Sequence, residues 1–197
     1  MSSFNMPALG GQDQNMKKVY SYIQMLNEQL RYNLSNITPE DNFTKDSFLG
    51  TLLLYLLLNN EYMEELKRKA ELLLEQCDSV VLTSIDENGF PRPVPMSKVK
   101  AEGITTIWFA TGTHSEKTEH FRVNPKAGVC FQKEINSVVL TGYVEIVTDE
   151  AEKKALWQDW FIEHFPGGVN DPTYCILKFT AKRVTYWLDF QFVKGKV

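Results

Sequence analysis

The sequence contains little that would indicate a secreted or membrane-spanning protein. Cysteine is scarce: Cys77, Cys130 and Cys175 are widely spaced and odd in number, so they form neither a disulfide framework nor a metal-binding knuckle. We expect buried thiols in a reducing cytoplasm. The longest strongly apolar run, residues 48–58, is too short for a membrane span, which needs about 20 apolar residues. Residues 1–30 lack a basic start followed by an apolar stretch, so we expect no signal peptide.

An excess of basic residues is also missing. The 197-residue chain carries 21 Lys and Arg against 25 Asp and Glu, which gives a net charge of -4. Because nucleic-acid binders normally carry a basic surplus, we expect no nucleic-acid partner. His114, His120 and His164 lack a third ligand at a suitable spacing, so we expect solvated histidines and no metal site. The whole chain has 43% apolar and 23% charged residues, a composition typical of a globular protein.

The predicted secondary structure changes near residues 59–60: the sequence before this point is helical or unstructured, and strands dominate after it. Residues 1–15 are rich in Ser, Asn, Gln and Gly and predict a loose tail. Apolar residues between 16 and 34 recur every three or four positions, which predicts a helix, and Thr38 and Pro39 indicate the start of the next. We therefore assign residues 1–60 to a helical, partly flexible extension and residues 61–197 to the main domain.

The main domain reads as a small β-structure with helices. An amphipathic helix is predicted over residues 61–77, and further helices over 114–123 and 149–165. The predicted strands are residues 79–85, 90–99, 104–111, 127–132, 137–147, 174–179 and 183–189. Six or seven short strands interrupted by short helices predict a small antiparallel barrel rather than alternating β-α-β units.

Two segments combine residue types suited to ligand binding. In residues 109–118 a strand ends in a Gly-containing turn before a helix, with Thr113 and Glu116 at capping-box spacing. The first-turn amides could face an anion, although a plain capped helix explains the pattern too. The side chains that would suit a phosphate are Thr111, Thr113, Ser115, Lys117 and Thr118.

The second segment is the proline-rich strand at residues 91–96. Proline has no N–H to donate to a ladder, so this strand must lie at an edge or leave alternate groups free. Its unpaired carbonyls could accept N–H groups from a flat ligand. The alternative is an edge strand that its prolines protect against aggregation.

Four motifs in order make the sequence resemble a known family. They are Asp-Glu-Asn-Gly-Phe-Pro-Arg-Pro-Val-Pro-Met at residues 86–96, Ile-Trp-Phe-Ala-Thr-Gly-Thr-His-Ser-Glu-Lys at 107–117, Asn-Pro-Lys at 124–126 and Leu-Thr-Gly-Tyr-Val-Glu-Ile-Val at 140–147. From about residue 61 onward the chain resembles the pyridoxamine 5′-phosphate oxidase-like FMN-binding split barrels, in particular the general stress protein branch. The resemblance implies a six-stranded antiparallel split β-barrel and a cytoplasmic homodimer with FMN at the subunit interface.

The resemblance also implies roles for individual residues. It places the strand of Val94, Pro95 and Met96 against the flavin ring. The other positions that it assigns to the cofactor are Ala110 and Thr111 by the ribityl chain, Ser115, Lys117 and Thr118 by the phosphate, Ser137 near the ring, and Trp187 from the other subunit. Glu116 stands where the oxidases proper carry a basic residue. Val94 stands where relatives often carry arginine, and Arg92 is the candidate substitute.

The function implied is that of an FMN-dependent oxidoreductase that transfers hydride or electrons between a reduced cofactor and an unidentified small molecule. We assign no catalytic residue. Residues 186–190 lack the arginine and histidine pair with which the true oxidases hold pyridoxamine phosphate, so we do not expect that activity. A non-catalytic flavin store or sensor, or a split barrel that uses F420 or haem, remains an alternative. The N-terminal part, especially residues 18–43, faintly resembles the start of bacteriophage tail proteins.

Overall fold

The computed structural model describes residues 45–197 and, before them, six helical positions: Ser21, Gln24, Met25, Glu28, Gln29 and Tyr32. The predicted tail at residues 1–15, the predicted helix start at Thr38 and the rest of the helix predicted over 16–34 lie outside the described residues. The chain divides into two compact units between Arg68 and Lys69. Our boundary at residue 60 stays a prediction.

Helix α1, Lys45–Glu75, runs without interruption where we predicted two helices. The predicted break at Asn59 and Asn60 is therefore wrong. Asparagine is a poor helix former, but it costs only about 0.7 kcal/mol relative to alanine, and neither glycine nor proline stands at this point. None of the helices in the described part of the chain is both long and apolar enough to cross a lipid bilayer.

Six antiparallel strands close into a barrel, which confirms the predicted fold class. The described residues form seven strands, the first six of which make the barrel: β1 Ser79–Ile85, β2 Pro91–Glu102, β3 Thr106–Gly112, β4 Lys126–Lys133, β5 Asn136–Val147, β6 Tyr174–Leu188 and β7 Gln191–Lys196. They are ordered β3-β2-β1-β4-β5-β6-β7, and the additional pairing of β3 with β6 closes the barrel. Strand β7 lies beyond the closed barrel and pairs with β6.

The last part of the chain differs from the prediction in two ways. Strand β6 is continuous where we predicted two strands separated at residues 180–182. At this point its register against β5 shifts, between Thr141 and Gly142 of β5. Strand β7 was missed. The hairpin that leads into it turns at Asp189 and Phe190, both with positive φ. Asp tolerates this conformation, but a bulky residue such as Phe190 rarely adopts it, so the Asp-Phe pair lacks the Gly that would signal a turn.

Two short α-helices and two 3-10 turns complete the domain: helix α2, Glu116–Val123, helix α3, Glu150–Ala155, and 3-10 turns at Asp159–Glu163 and Gly168–Asn170. Asp149 caps α3, since its Oδ1 accepts a hydrogen bond from the Glu152 N–H at 2.7 Å. The helix predicted over 149–165 nevertheless ends early. Trp157 and Phe165 instead pack on Tyr174, with ring centroids 5.2 and 5.1 Å away, so packing on the barrel replaces a continuous helix.

The barrel interior follows strand alternation. Leu82, Val129, Val138 and Leu140 are buried inside, while their neighbours along the strands face outward. The three cysteines are free, Cys77 and Cys175 being buried and Cys130 partly so.

Candidate functional site

The barrel opens along strand β2. Residues 91–97 of this strand pair with β1, whereas pairing with β3 begins only at Lys98. Within the described residues, the proline-rich half of β2 therefore has a neighbour on one side only, as predicted for an edge. Because proline donates no N–H, the ladder to β1 must use the alternate residues, and the carbonyls of Pro91, Pro93 and Pro95 face away from β1.

A first cleft, which we call the charged cleft, lies between β2 and α2. It measures about 280 Å³, and the residues that line it are Ser84, Arg92, Val94, Glu116, Lys117 and His120. Arg92 Nη2 donates to Glu116 Oε2 at 2.6 Å. The buried Ser84 Oγ lies 2.9 Å from His120 Nδ1. Three positions of interest from the sequence, Arg92, Val94 and Lys117, thus come together here.

Lys117 is the half-buried cation of this cleft. Burial lowers the pKa of its ammonium group, and the nearby Cys175 and Glu116 offset this effect only in part. Among residues 45–197, Lys117 forms no ion pair within 4.0 Å. An anion in the cleft would supply the missing partner.

Helix α2 begins at this cleft, and its cap differs from the predicted one. Ser115, not Thr113, is the N-cap residue, and its Oγ accepts from the Thr118 N–H. The predicted capping box is wrong because the Thr113 N–H donates to the Thr173 carbonyl at 2.7 Å and so belongs to the preceding turn. The first-turn amides of Glu116 and Lys117 have no acceptor among the described residues, as is usual at a helix N-terminus.

A chain of hydrogen-bonded hydroxyl groups stabilises the turn that precedes α2. Thr111 Oγ1 donates to Ser115 Oγ at 3.3 Å, and Ser115 Oγ lies 2.8 Å from Thr118 Oγ1. Thr118 Oγ1 donates its proton to the Gly112 carbonyl at 2.9 Å, so Ser115 is the donor to Thr118. Thr118 is fully buried. Ser115 and Thr118 do not line the charged cleft, nor the second cleft described next. Their hydrogen bonds hold the turn in place.

A second cleft, the aromatic cleft, continues along β2. It measures about 360 Å³ and is lined by β2, the end of β3 and the 3-10 turn region. The predicted site residues found here are Pro95, Met96, Ala110 and Thr111. Trp160, Phe161, His164 and Phe165 form its wall. Phe161 and Phe165 are buried, whereas Trp160 is half exposed.

Ser137 and Trp187 lie apart from both clefts. They stand opposite each other on β5 and β6, so their side chains project from the same face of the sheet. Trp187 is 39% exposed, and its neighbours Val139 and Phe192 are 40% and 60% exposed. Within a single chain, these two predicted positions therefore do not join the others.

Ser84 and His120 also line the charged cleft, although we did not predict them as site residues. We expected all three histidines to be solvated, and for His120 this is wrong, since only 12% of its side chain is exposed. Ser84 occupies an inward position of the alternating strand β1. A buried hydroxyl needs a hydrogen-bond partner. A serine at an inward position of the strand therefore indicates a polar partner nearby, and this was the signal that the sequence offered. No three His, Cys, Asp or Glu side chains in the described ranges are grouped as metal ligands.

The chain is similar to known proteins in sequence and in fold. A family model described as pyridoxamine 5′-phosphate oxidase like matches residues 65–193. The structure of a protein from Clostridium acetobutylicum related to general stress protein 26 of Bacillus subtilis is 29% identical, with a TM-score of 0.63 over 68% of this chain and 96% of that one. No curated protein sequence matches significantly.

Two further structures are similar in fold alone. General stress protein 26 from Bacillus anthracis is 20% identical, with a TM-score of 0.55 over 66% of this chain and 98% of that one. A heme binding protein from Mycobacterium smegmatis is 12% identical, with a TM-score of 0.55 over 66% of this chain and 57% of that one.

Proposed function

Because the chain belongs to the pyridoxamine 5′-phosphate oxidase-like family, we propose that it binds FMN and transfers hydride or electrons between a reduced cofactor and a small molecule. The observation that carries the proposal is the half-buried Lys117 ammonium, which lacks an ion-pair partner within the described residues, beside the free first-turn amides of α2. Cations and helix N-terminal amides are the groups that bind phosphate.

The two clefts fit the two ends of FMN. The charged cleft offers Arg92 and Lys117 to the phosphate. The aromatic cleft is a largely apolar space for the ring, and the outward carbonyls of β2 could accept its N–H groups. A bound flavin would supply the hydride or electron transfer itself. The chain's own residues would then bind and orient it, and the aromatic wall with Trp160 and Phe165 would exclude water.

We further propose that the protein is a homodimer and that a partner subunit completes each site. Ser137 and Trp187 are the positions for which the resemblance implies ring contacts, yet they line neither cleft of their own chain. They belong to an exposed apolar strip with Val139 and Phe192. Such a strip is suited to an interface between copies of the chain.

The direct test is purification of the full chain followed by absorption spectroscopy, titration with FMN and analytical ultracentrifugation. We expect a flavin spectrum or saturable FMN binding, and a dimer. A haem or F420 spectrum would show that the protein binds that cofactor instead of FMN. A stable monomer without affinity for FMN would contradict the proposal. Mixing the loaded protein with reduced nicotinamides in a stopped-flow instrument separates an oxidoreductase from a flavin store.

The phosphate contact predicts a pH dependence. Burial places the pKa of Lys117 below the ordinary lysine value. Below this pKa the ammonium is charged and attracts the phosphate, and above it the attraction is lost, so FMN affinity should fall as the pH rises. Titrations from about pH 7 to about pH 10 cover the range. Riboflavin, which shares the ring but lacks the phosphate, controls for titration of the flavin. Parallel losses for both ligands would argue against Lys117.

A further inference from the structure

The charged cleft contains an ion pair that crosses its mouth. Arg92 comes from β2 and Glu116 from the first turn of α2, and their Nη2 and Oε2 atoms are 2.6 Å apart. The Arg92 side chain is 51% exposed and that of Glu116 76% exposed. Solvent-exposed pairs of this kind contribute little to stability and exchange partners readily. The pair is therefore free to respond to a ligand.

The balance of charge in the cleft is unfavourable for a doubly charged anion. Of the six residues that line it, Arg92 and Lys117 carry the positive charges, and Glu116 is the carboxylate. A phosphomonoester brings about two negative charges at neutral pH. To pair with Arg92 through Nη2 it must displace the Glu116 carboxylate, and in any geometry it must tolerate that carboxylate nearby.

We propose that Glu116 is an internal competitor for Arg92, and that it determines how strongly this site prefers a phosphorylated flavin over an unphosphorylated one. The carboxylate occupies on the Arg92 guanidinium the place that a ligand phosphate would take. Phosphate binding exchanges one anion for the other. This inference rests on the proposed flavin binding and assigns Glu116 as a specificity-determining residue within it.

Apart from the lysine, the titratable groups around this ion pair are engaged with partners of their own. His120 is held by Ser84 at Nδ1, and its Nε2 faces Glu87 Oε2 at 3.9 Å. The next acidic residue of α2, Glu119, pairs with Arg122 on the same helix, and neither residue lines the cleft. Glu119 therefore offers a matched control: the same side chain and the same helix, but a different partner.

The experiment compares the full chain with its Glu116→Gln and Glu119→Gln variants, using FMN and riboflavin as the probes. Glu116→Gln should tighten FMN binding about fivefold, because a like charge a few ångströms from the phosphate is removed in a largely aqueous environment. Riboflavin affinity should change less than about twofold, and Glu119→Gln should leave the FMN-to-riboflavin ratio unchanged. The gain should shrink at about 1 M salt, where screening is strong.

A second variant tests the partner. If Glu116 acts through Arg92, Glu116→Gln should tighten FMN binding much less in an Arg92→Gln background than in the unmodified chain. An FMN-to-riboflavin ratio that is unchanged or lower in Glu116→Gln would overturn the inference while leaving flavin binding intact. Failure of every form to bind FMN would reject the proposed function, and this inference with it.

Discussion

Replacing Gly142 by alanine should lower the melting temperature by about 6–12 °C, which corresponds to a loss of about 3 kcal/mol. Gly142 lies at the register shift between β5 and β6. A Cβ atom at this position would lie 2.0 Å from the Thr180 carbonyl oxygen and 2.9 Å from Ala181 Cα. Both are backbone atoms of the strand that closes the barrel against β3, so the clash cannot be relieved by rotating a side chain.

Gly128 provides the matched control for this substitution. It lies on the adjacent strand β4, and a Cβ there would meet the Leu140 carbonyl oxygen and Thr83 Cβ at 3.7 and 3.8 Å, which are ordinary contacts. Gly128→Ala should change stability by less than about 0.5 kcal/mol. Thermal unfolding followed by circular dichroism, without ligand, measures both. Equal melting temperatures for the two variants would show that β5 can move away from β6 at no cost.

Gly142 also illustrates why the fold was predictable while some boundaries were not. The barrel could be recognised because alternation in segments such as residues 79–85 reflects burial on one face of a strand, and this pattern is local. The path of β6 through its register shift depends on the partner strand, which a single segment does not reveal. The same holds for α3, whose end is decided by the contact of Trp157 with Tyr174 rather than by helix propensity.

The site was predictable to a similar extent. Proline at alternate positions of β2 requires an edge with outward carbonyls, whatever the rest of the chain does. The turn before α2 could be identified as a helix start, but its cap could not. Thr113 and Ser115 are both good N-cap residues, and the choice between them depends on the Thr173 carbonyl, which is remote in sequence. The pairing of Arg92 with Glu116 links residues 24 positions apart and has no local signal.

Replacing Lys117 by alanine should weaken FMN binding by roughly ten- to a hundredfold, because a charge-assisted contact to phosphate is worth about 1.5–3 kcal/mol. Riboflavin, which offers no phosphate, should lose less than about threefold. Lys154→Ala is the control, since it removes the same charge from an exposed position that lines neither of the two clefts. Equal losses for FMN and riboflavin would place the lysine away from the phosphate.

Stability of the ligand-free protein separates a binding role of Lys117 from a structural one. A half-buried ammonium without an ion-pair partner in the described part of the chain has lost hydration that its neighbours compensate only in part. Its removal should therefore leave the melting temperature of the ligand-free protein unchanged or raise it, while the upward shift that FMN produces in the unmodified chain becomes smaller. If Lys117→Ala instead lowered the melting temperature without ligand and left the FMN-induced shift intact, the ammonium would be a structural group and the phosphate would have to bind elsewhere.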